Sequence, residues 1–415
     1  MKARSPVFAI LFVLFALASS VVAQSAHSTQ NWVGSWATSQ QIPEPHNALA
    51  PDDLRDATLR QIVHLSVGGP ALRVRISNAF GTSPLHLTSV HIARPLSASA
   101  PQIDPATDKA LVFSGSTDVI IPAGAEYLSD PVEYPVKPMS DLAISIHYDA
   151  PPEQQTGHPG SRSTSYLVHG DAVSASDLPD AKKFDHWYQL SAVDVAASPK
   201  AAAIVALGDS ITDGRGTTTN GNNRWTDILA RRLQASAKTK DLGVLNHGIG
   251  GNHLLTDGLG PNTLARFDRE VLAQTGVRFV IVLEGVNDLG GFTQLSDPAR
   301  PEHEAFVHRV IASYEQIIAR AHAAHIKVFG ATILPYTGSE YYHPPASNEA
   351  DRQAINQWIR AAGHFDGAID FDKALADPMH PDHLAAKYDG GDHLHPSPEG
   401  YRAMGEMVDL SLFRH

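Results

Sequence analysis

The sequence predicts an α/β fold with a parallel sheet, preceded by an all-β sandwich of jelly-roll type, and three observations carry this. From Trp32 to about Val195 apolar residues recur with period two, the spacing of half-buried antiparallel strands. After Ala196-Ala197-Ser198-Pro199-Lys200 short apolar runs alternate with helical stretches, which implies βα units. The chain has 415 residues, more than one core usually serves, so two domains are expected, 32–197 and 200–415.

The N-terminus belongs to neither. Lys2 and Arg4 precede an unbroken apolar run from Val7 to Leu17, and Val21-Val22-Ala23 offers small residues for cleavage before Gln24. Residues 1–23 therefore read as a signal peptide, and the mature protein is expected to be secreted or periplasmic. A membrane anchor would need about 20 apolar residues, and Ser19 and Ser20 interrupt the run. No membrane association is expected after cleavage. There is no cysteine, so disulfides, thiolate chemistry and cysteine metal sites are excluded. The formal charge of −12 becomes −14 once Lys2 and Arg4 are lost, which disfavours nucleic acid and anionic lipid as partners. The 22 histidines form no ligand-spaced tract and are expected mostly at the surface.

In the first half, Leu72, Val74 and Ile76 alternate with Arg73, Arg75 and Ser77, and Leu142, Ile144 and Ile146 with Ala143, Ser145 and His147. Leu59 to Val67, Leu85 to Ala93, Val119 to Ile121 and Ser165 to Val168 are further strands, separated by Gly and Pro. The apolar phase shifts within Leu85 to Ala93, which predicts a bulge near Thr88 and Ser89. In the second half, strands are expected at Ala202 to Leu207, Leu242 to Leu245, Phe279 to Leu283, Val328 to Ile333 and Ala368 to Phe371. Helices are expected near Arg224 to Ala237, Glu302 to His325, Asn348 to Ala362 and Pro398 to Leu412.

Ser210 lies just past the apolar strand Ala202 to Leu207. Ligands of open α/β sheets bind at that edge, and a serine opening a helix has backbone N–H groups pointing at any anion formed there. A serine hydroxyl needs a base and its oxyanion needs donors. Near the C-terminus, Asp392 and His395 stand before Ser397-Pro398, a good N-cap and N1 pair. Their spacing lets Asp392 accept from the ring N–H of His395 while the other ring nitrogen faces Ser210. The alternatives are a capped turn with a surface histidine, or a metal cluster of Asp389, Asp392, His393 and His395. Donors are offered by Asn246-His247-Gly248-Ile249-Gly250-Gly251-Asn252, a glycine-rich loop or a plain βα turn, and by Asn287 in Glu284-Gly285-Val286-Asn287-Asp288, an amide donor or a helix cap.

Together these segments resemble the SGNH, or GDSL, hydrolase superfamily: GDSITDG, GIGGN, GVND and DHLH stand in the family's order across residues 202–412. The resemblance implies a flavodoxin-like three-layer α/β/α domain. It implies Ser210 as nucleophile, Gly251 N–H and the Asn287 amide as oxyanion donors beside Ser210's own N–H, His395 as base and Asp392 as its partner. Gly248 and Gly250 stand close to Gly251 as rival donors. The segments TLRQIVHLSVGG, RVRISNAFG and WYQLSAVDV resemble a larger branch in which a β-sandwich precedes the hydrolase domain, similar to secreted arylesterases and carbohydrate acetylesterases.

The expected activity is hydrolysis of short-chain acyl esters, without cofactor or metal, on a small-molecule ester or an acetylated polysaccharide of xylan type. An arylesterase or short-chain lipase-like carboxylesterase is the nearest alternative, and an inactive carbohydrate-binding protein a third. The tyrosines of the loop from Pro335 to Pro345 are candidates for stacking on a sugar or aryl group.

Overall fold

The structure is a computed structural model and describes residues 30–414; the expected signal peptide lies outside them. The first half is strand-rich with antiparallel sheets. One sheet runs Asn31–Ala37, Leu190–Ala197, Gly69–Ser77, Glu126–Leu128, with Val132–Val136 also paired to Gly69–Ser77. The other runs Lys182–Phe184, Ser165–His169, Ala57–Leu65, Ser140–Tyr148, Ser89–Ala93, Lys109–Ala110.

Two expectations change here. The stretch from Leu85 to Ala93 is not one bulged strand. It breaks at Thr88 into Leu85–Leu87, which pairs with Val119–Ile121, and Ser89–Ala93, which pairs with Ser140–Tyr148. The phase shift marks the change of sheet. Nor is Ser140–Tyr148 half-buried, since Ala143, Ser145 and His147 are buried as well as the apolar set. The cause lies beside it. Arg60 on Ala57–Leu65 is fully buried, and it donates to Ser145 Oγ (2.9 Å) and to the carbonyls of Pro101 (2.6 Å), Val173 (3.2 Å) and Ala175 (2.8 Å). These bonds hold two loops over the sheet's outer face. Burial lowers the Arg60 pKa to about 10, so it remains charged.

In the second half five parallel strands order as second, first, third, fourth, fifth: Leu242–Gly248, Ala202–Gly208, Val277–Leu283, Lys327–Ala331, Gly367–Ile369. This is the flavodoxin-like order, whose switch point lies where strands one and three adjoin. Helices Trp225–Gln234 and Pro398–Met407 pack together, as do Arg300–Ala323 and Ala346–Arg360. The last ends earlier than expected, at Met407, and a short 3-10 turn Leu410–Phe413 follows. The strands are almost continuously buried, as covered parallel strands should be.

The halves meet backbone to backbone. A Cβ on Gly243 would lie 2.2 Å from Gly34 O, so that position admits no larger residue in place, and one on Gly34 would lie 2.8 Å from the end of the Leu245 side chain, which would have to shift. On the edge strand Leu242–Gly248, Val244 N–H donates to Ser66 Oγ at 3.0 Å, which occupies a donor that an open edge would leave bare. Apolar side chains of both halves, Val33 and Leu65 with Ile204 and Leu245 among them, form one hydrophobic cluster.

Candidate active site

Three strand ends stand level at the carboxyl edge, because Gly208 pairs with Gly248 on one side and Leu283 on the other. The loops that leave them therefore start from one line. Ser210 opens a one-turn helix, Ser210–Asp213, capped by Asp209, whose carboxylate accepts from Ile211 N–H at 2.8 Å. As the first helical residue its own N–H has no intrahelical acceptor. Gly214, at φ +95°, closes the turn, and Gly214 and Arg215 both donate to Ser210 O.

His395 comes from the loop before the last helix. Its Nε2 lies 2.8 Å from Ser210 Oγ and its Nδ1 2.6 Å from Asp392 Oδ2. Asp392 also accepts the backbone N–H groups of Leu394 (3.1 Å) and His395 (2.8 Å), which folds the turn that aims the ring. Burial alone would raise the Asp392 pKa, but the His395 ring and these N–H groups outweigh it and hold the carboxyl well below the usual range. Asp389 and His393 pair with each other, so the four residues form two separate pairs.

The glycine segment differs in detail from expectation. Asn246, His247 and Gly248 continue the second strand, and the loop begins at Ile249. Gly248 N–H is taken by Asn246 Oδ1 at 2.9 Å, whereas among the described residues Gly250 and Gly251 N–H have no acceptor. Gly251 has φ +64°, a conformation glycine adopts without strain. Asn287 is not in a loop either. It lies in the first turn of helix Val286–Thr293, after Gly285 at φ +115°. Its Nδ2 donates to Asn252 O at 2.7 Å, and its Oδ1 accepts from Tyr342 Oη at 2.6 Å, which fixes the amide's orientation. Ser210, Gly251, Asn287, Asp392 and His395 all line one cleft of about 420 Å³, with Leu259 and Leu394 as its apolar walls.

Residues missed in the sequence support this edge from below. Arg266, with no exposed surface, donates to Gly208 O (3.0 Å), His247 O (2.7 Å), Asn252 Oδ1 (2.8 Å) and Glu284 Oε1 (3.1 Å), and pairs with Glu270. One guanidinium thus ties all three strand ends. Asp288 accepts Leu254 and Leu255 N–H, fastening the segment after the glycine loop to the helix that follows the third strand. From the first half, His158 Nε2 meets Asp213 Oδ1 at 2.9 Å and Ser39 Oγ donates to Glu270 at 2.7 Å. Of the loop tyrosines, Tyr336 and Tyr342 are buried, and Tyr341 alone of the three is well exposed, at 67%.

This buried polar layer sets the acid stability. Burial lowers the His247 pKa from 6.5 to about 3, so the unfolded chain takes up a proton that the folded chain refuses. Acidification across that window favours unfolding, by an amount on the order of 3–5 kcal/mol when complete. Glu270 adds to it lower down. Burial opposes its ionisation, but Arg266 and His247 outweigh burial and bring it from 4.5 to about 2, so its contribution is present above 4.5 and lost towards pH 2. Tm is expected to fall from pH 6.5 to 4, less steeply in His247→Gln; a flat Tm over that range would contradict this. Among the described residues, His147, His158, His247, His303 and His395 are buried.

A sheet of this order, with a serine, imidazole and carboxylate in series at its carboxyl edge, defines the class: a carboxylic ester hydrolase. Residues 206–403 match the GDSL-like lipase/acylhydrolase family. Similar solved structures include a protein of Desulfitobacterium hafniense DCB-2 described as lipolytic and of the G-D-S-L family, with 25% identity, covering 50% of this chain and 97% of that one at a TM-score of 0.37. A lipase/acylhydrolase from Enterococcus faecalis shows 22% identity over 50% of this chain and 92% of its own, TM-score 0.38. A catalytic mutant of an acetylxylan esterase from Geobacillus stearothermophilus shows 18% over 53% and 96%, TM-score 0.40. No curated protein matches the chain.

Proposed function

We propose that the protein is an exported esterase that removes short acyl groups, chiefly O-acetyl groups on carbohydrate of xylan type, through an acyl-enzyme on Ser210. The observation that carries this is the unbroken series Ser210 Oγ, His395 Nε2, His395 Nδ1, Asp392 Oδ2, lining one cleft with Gly251, whose N–H has no acceptor among the described residues. Ser210 attacks the ester carbonyl as His395 takes its proton, and Asp392 stabilises the imidazolium. Gly251 N–H, Ser210 N–H and the Asn287 amide receive the oxyanion. His395 returns the proton to the leaving alcohol, and water, activated the same way, releases the acid. Export predicts a mature protein starting at Gln24, read by N-terminal sequencing.

Exposed Tyr341 at the cleft's mouth offers a ring face to a sugar or aryl alcohol, which supports a carbohydrate or aryl ester as substrate. Acetate release from acetylated xylan should exceed, in kcat/KM per ester, the hydrolysis of 4-nitrophenyl octanoate by about tenfold or more. Faster hydrolysis of the octanoate than of 4-nitrophenyl acetate would overturn the short-chain reading, and activity on the aryl acetate but not on xylan would replace carbohydrate by aryl esters. Tyr342 acts through Asn287. Its ring rests on Gly290, where a Cβ would come within 2.3 Å of it, so Tyr342→Phe keeps the packing and frees the amide. A fall in kcat of about tenfold with KM little changed is expected; equal loss in both would mark it as merely structural.

A further inference from the structure

Arg215 stands in the cleft with nothing to bind. Its backbone is held firmly: its N–H donates to Ser210 O at 2.9 Å, its carbonyl accepts from Tyr401 Oη at 2.7 Å, and it lies between Gly214 and Gly216, both at positive φ. Its side chain is exposed and lines the same cleft as Ser210 and His395. Most arginines around the site are engaged, Arg224 on Asp213 O and Arg266 on the strand ends, yet the Arg215 guanidinium makes no hydrogen bond or ion pair among the described residues. In a chain of formal charge −12 a cation left free at the reacting serine calls for an anion.

The side on which it stands decides which part of the ester would carry that anion. Tyr401 belongs to the helix that follows His395, and a Cβ on Gly216 would lie 3.3 Å from Pro396 O, so Arg215 is on the His395 side of Ser210. The leaving alcohol must face His395 to receive its proton, whereas the carbonyl oxygen faces Gly251 and Asn287. The other free charge in the cleft, Glu340, sits beside Tyr341 and makes no pair with Arg215. It disfavours an anion at its own position, which gives the cleft a polarity. We infer that Arg215 recognises a carboxylate on the alcohol portion of the substrate, so that the preferred esters are acyl groups on a uronate-bearing polysaccharide or another acid-bearing alcohol. This rests on the esterase reading above.

The test uses 4-acetoxybenzoate and its methyl ester, which share the acetyl group and ring and differ in the charge. The ratio of their kcat/KM values, carboxylate over methyl ester, should fall about tenfold or more in Arg215→Gln, and be largely retained in Arg215→Lys. Raising the salt concentration should lower the ratio in the native enzyme and leave that of Arg215→Gln nearly flat. A ratio that Arg215→Gln does not change overturns the inference even when both esters are hydrolysed. If the native enzyme cleaves neither, the esterase reading itself fails.

Discussion

Ser210→Ala is expected to fold normally, to lose about five orders of magnitude in kcat and to take up no fluorophosphonate label. The fold should survive because the hydroxyl's one bond is to His395, while the turn is held by Asp209, Gly214 and Arg215 through backbone groups. Removing Oγ takes away the atom that forms the acyl-enzyme and leaves only the oxyanion donors and binding to act on a water attack. Persistent labelling, or kcat within a hundredfold of native in protein free of contaminating esterase, would sink the assignment. His395→Ala should cost about as much, because the two groups act as a unit and their losses do not add.

The next largest effect is expected away from the chemistry. Arg266→Met should destabilise the protein by about 3–5 kcal/mol, because it leaves carboxylates buried without their cation. Glu270 and Glu284 both contact the guanidinium, and Asp209, pushed up to about 7 by burial even with its Ile211 N–H bond, lies in the same layer. Without Arg266, Glu270 would have to take up a proton or open to water, and Glu284 and Asp209, whose carboxyls burial already pushes up, would lose the cation that opposes that shift. Loss of activity should accompany the fall in Tm, since Gly208 O, His247 O and Asn252 would each lose a donor. Denaturant unfolding of the variant measures the cost, and a change below 1 kcal/mol would show that water or the remaining cations replace the arginine without difficulty.

The contrast between these two positions shows what could be read in advance. Ser210, Gly251 and Asn287 follow apolar strands, Asp392 and His395 precede a capped helix, and the order of these segments carries the resemblance that assigned their roles; the structure brings all five to one cleft. The alternation of strand and helix gave the parallel sheet. Arg266 gave no such signal. Leu264-Ala265-Arg266-Phe267-Asp268-Arg269-Glu270 has the charge of a surface helix, and only the arrival of carbonyls and carboxylates from three distant strands makes its burial favourable. Tyr342 is a candidate for stacking only by its place in a loop after the fourth strand; its phenol is spent on Asn287, 55 positions earlier. The order of the strands, and the exchange of sheets at Thr88, are likewise pairings between remote segments that periodicity within one segment does not encode.

The level strand ends restrict how such a protein can vary in length. Deleting one residue from Leu242–Gly248 would draw Gly251 back by about 3.3 Å and turn the strand's side chains to the opposite faces, while Ser210 and Asn287 stayed where they are. Insertions and deletions in the three strands with level ends are thus closed to it. The segment 335–345 leaves the fourth strand and reaches the cleft only through its tip at Glu340, Tyr341 and Tyr342. Beyond Tyr342, its length can change without disturbing the line on which the reacting groups stand, and that is where new ester preferences can arise.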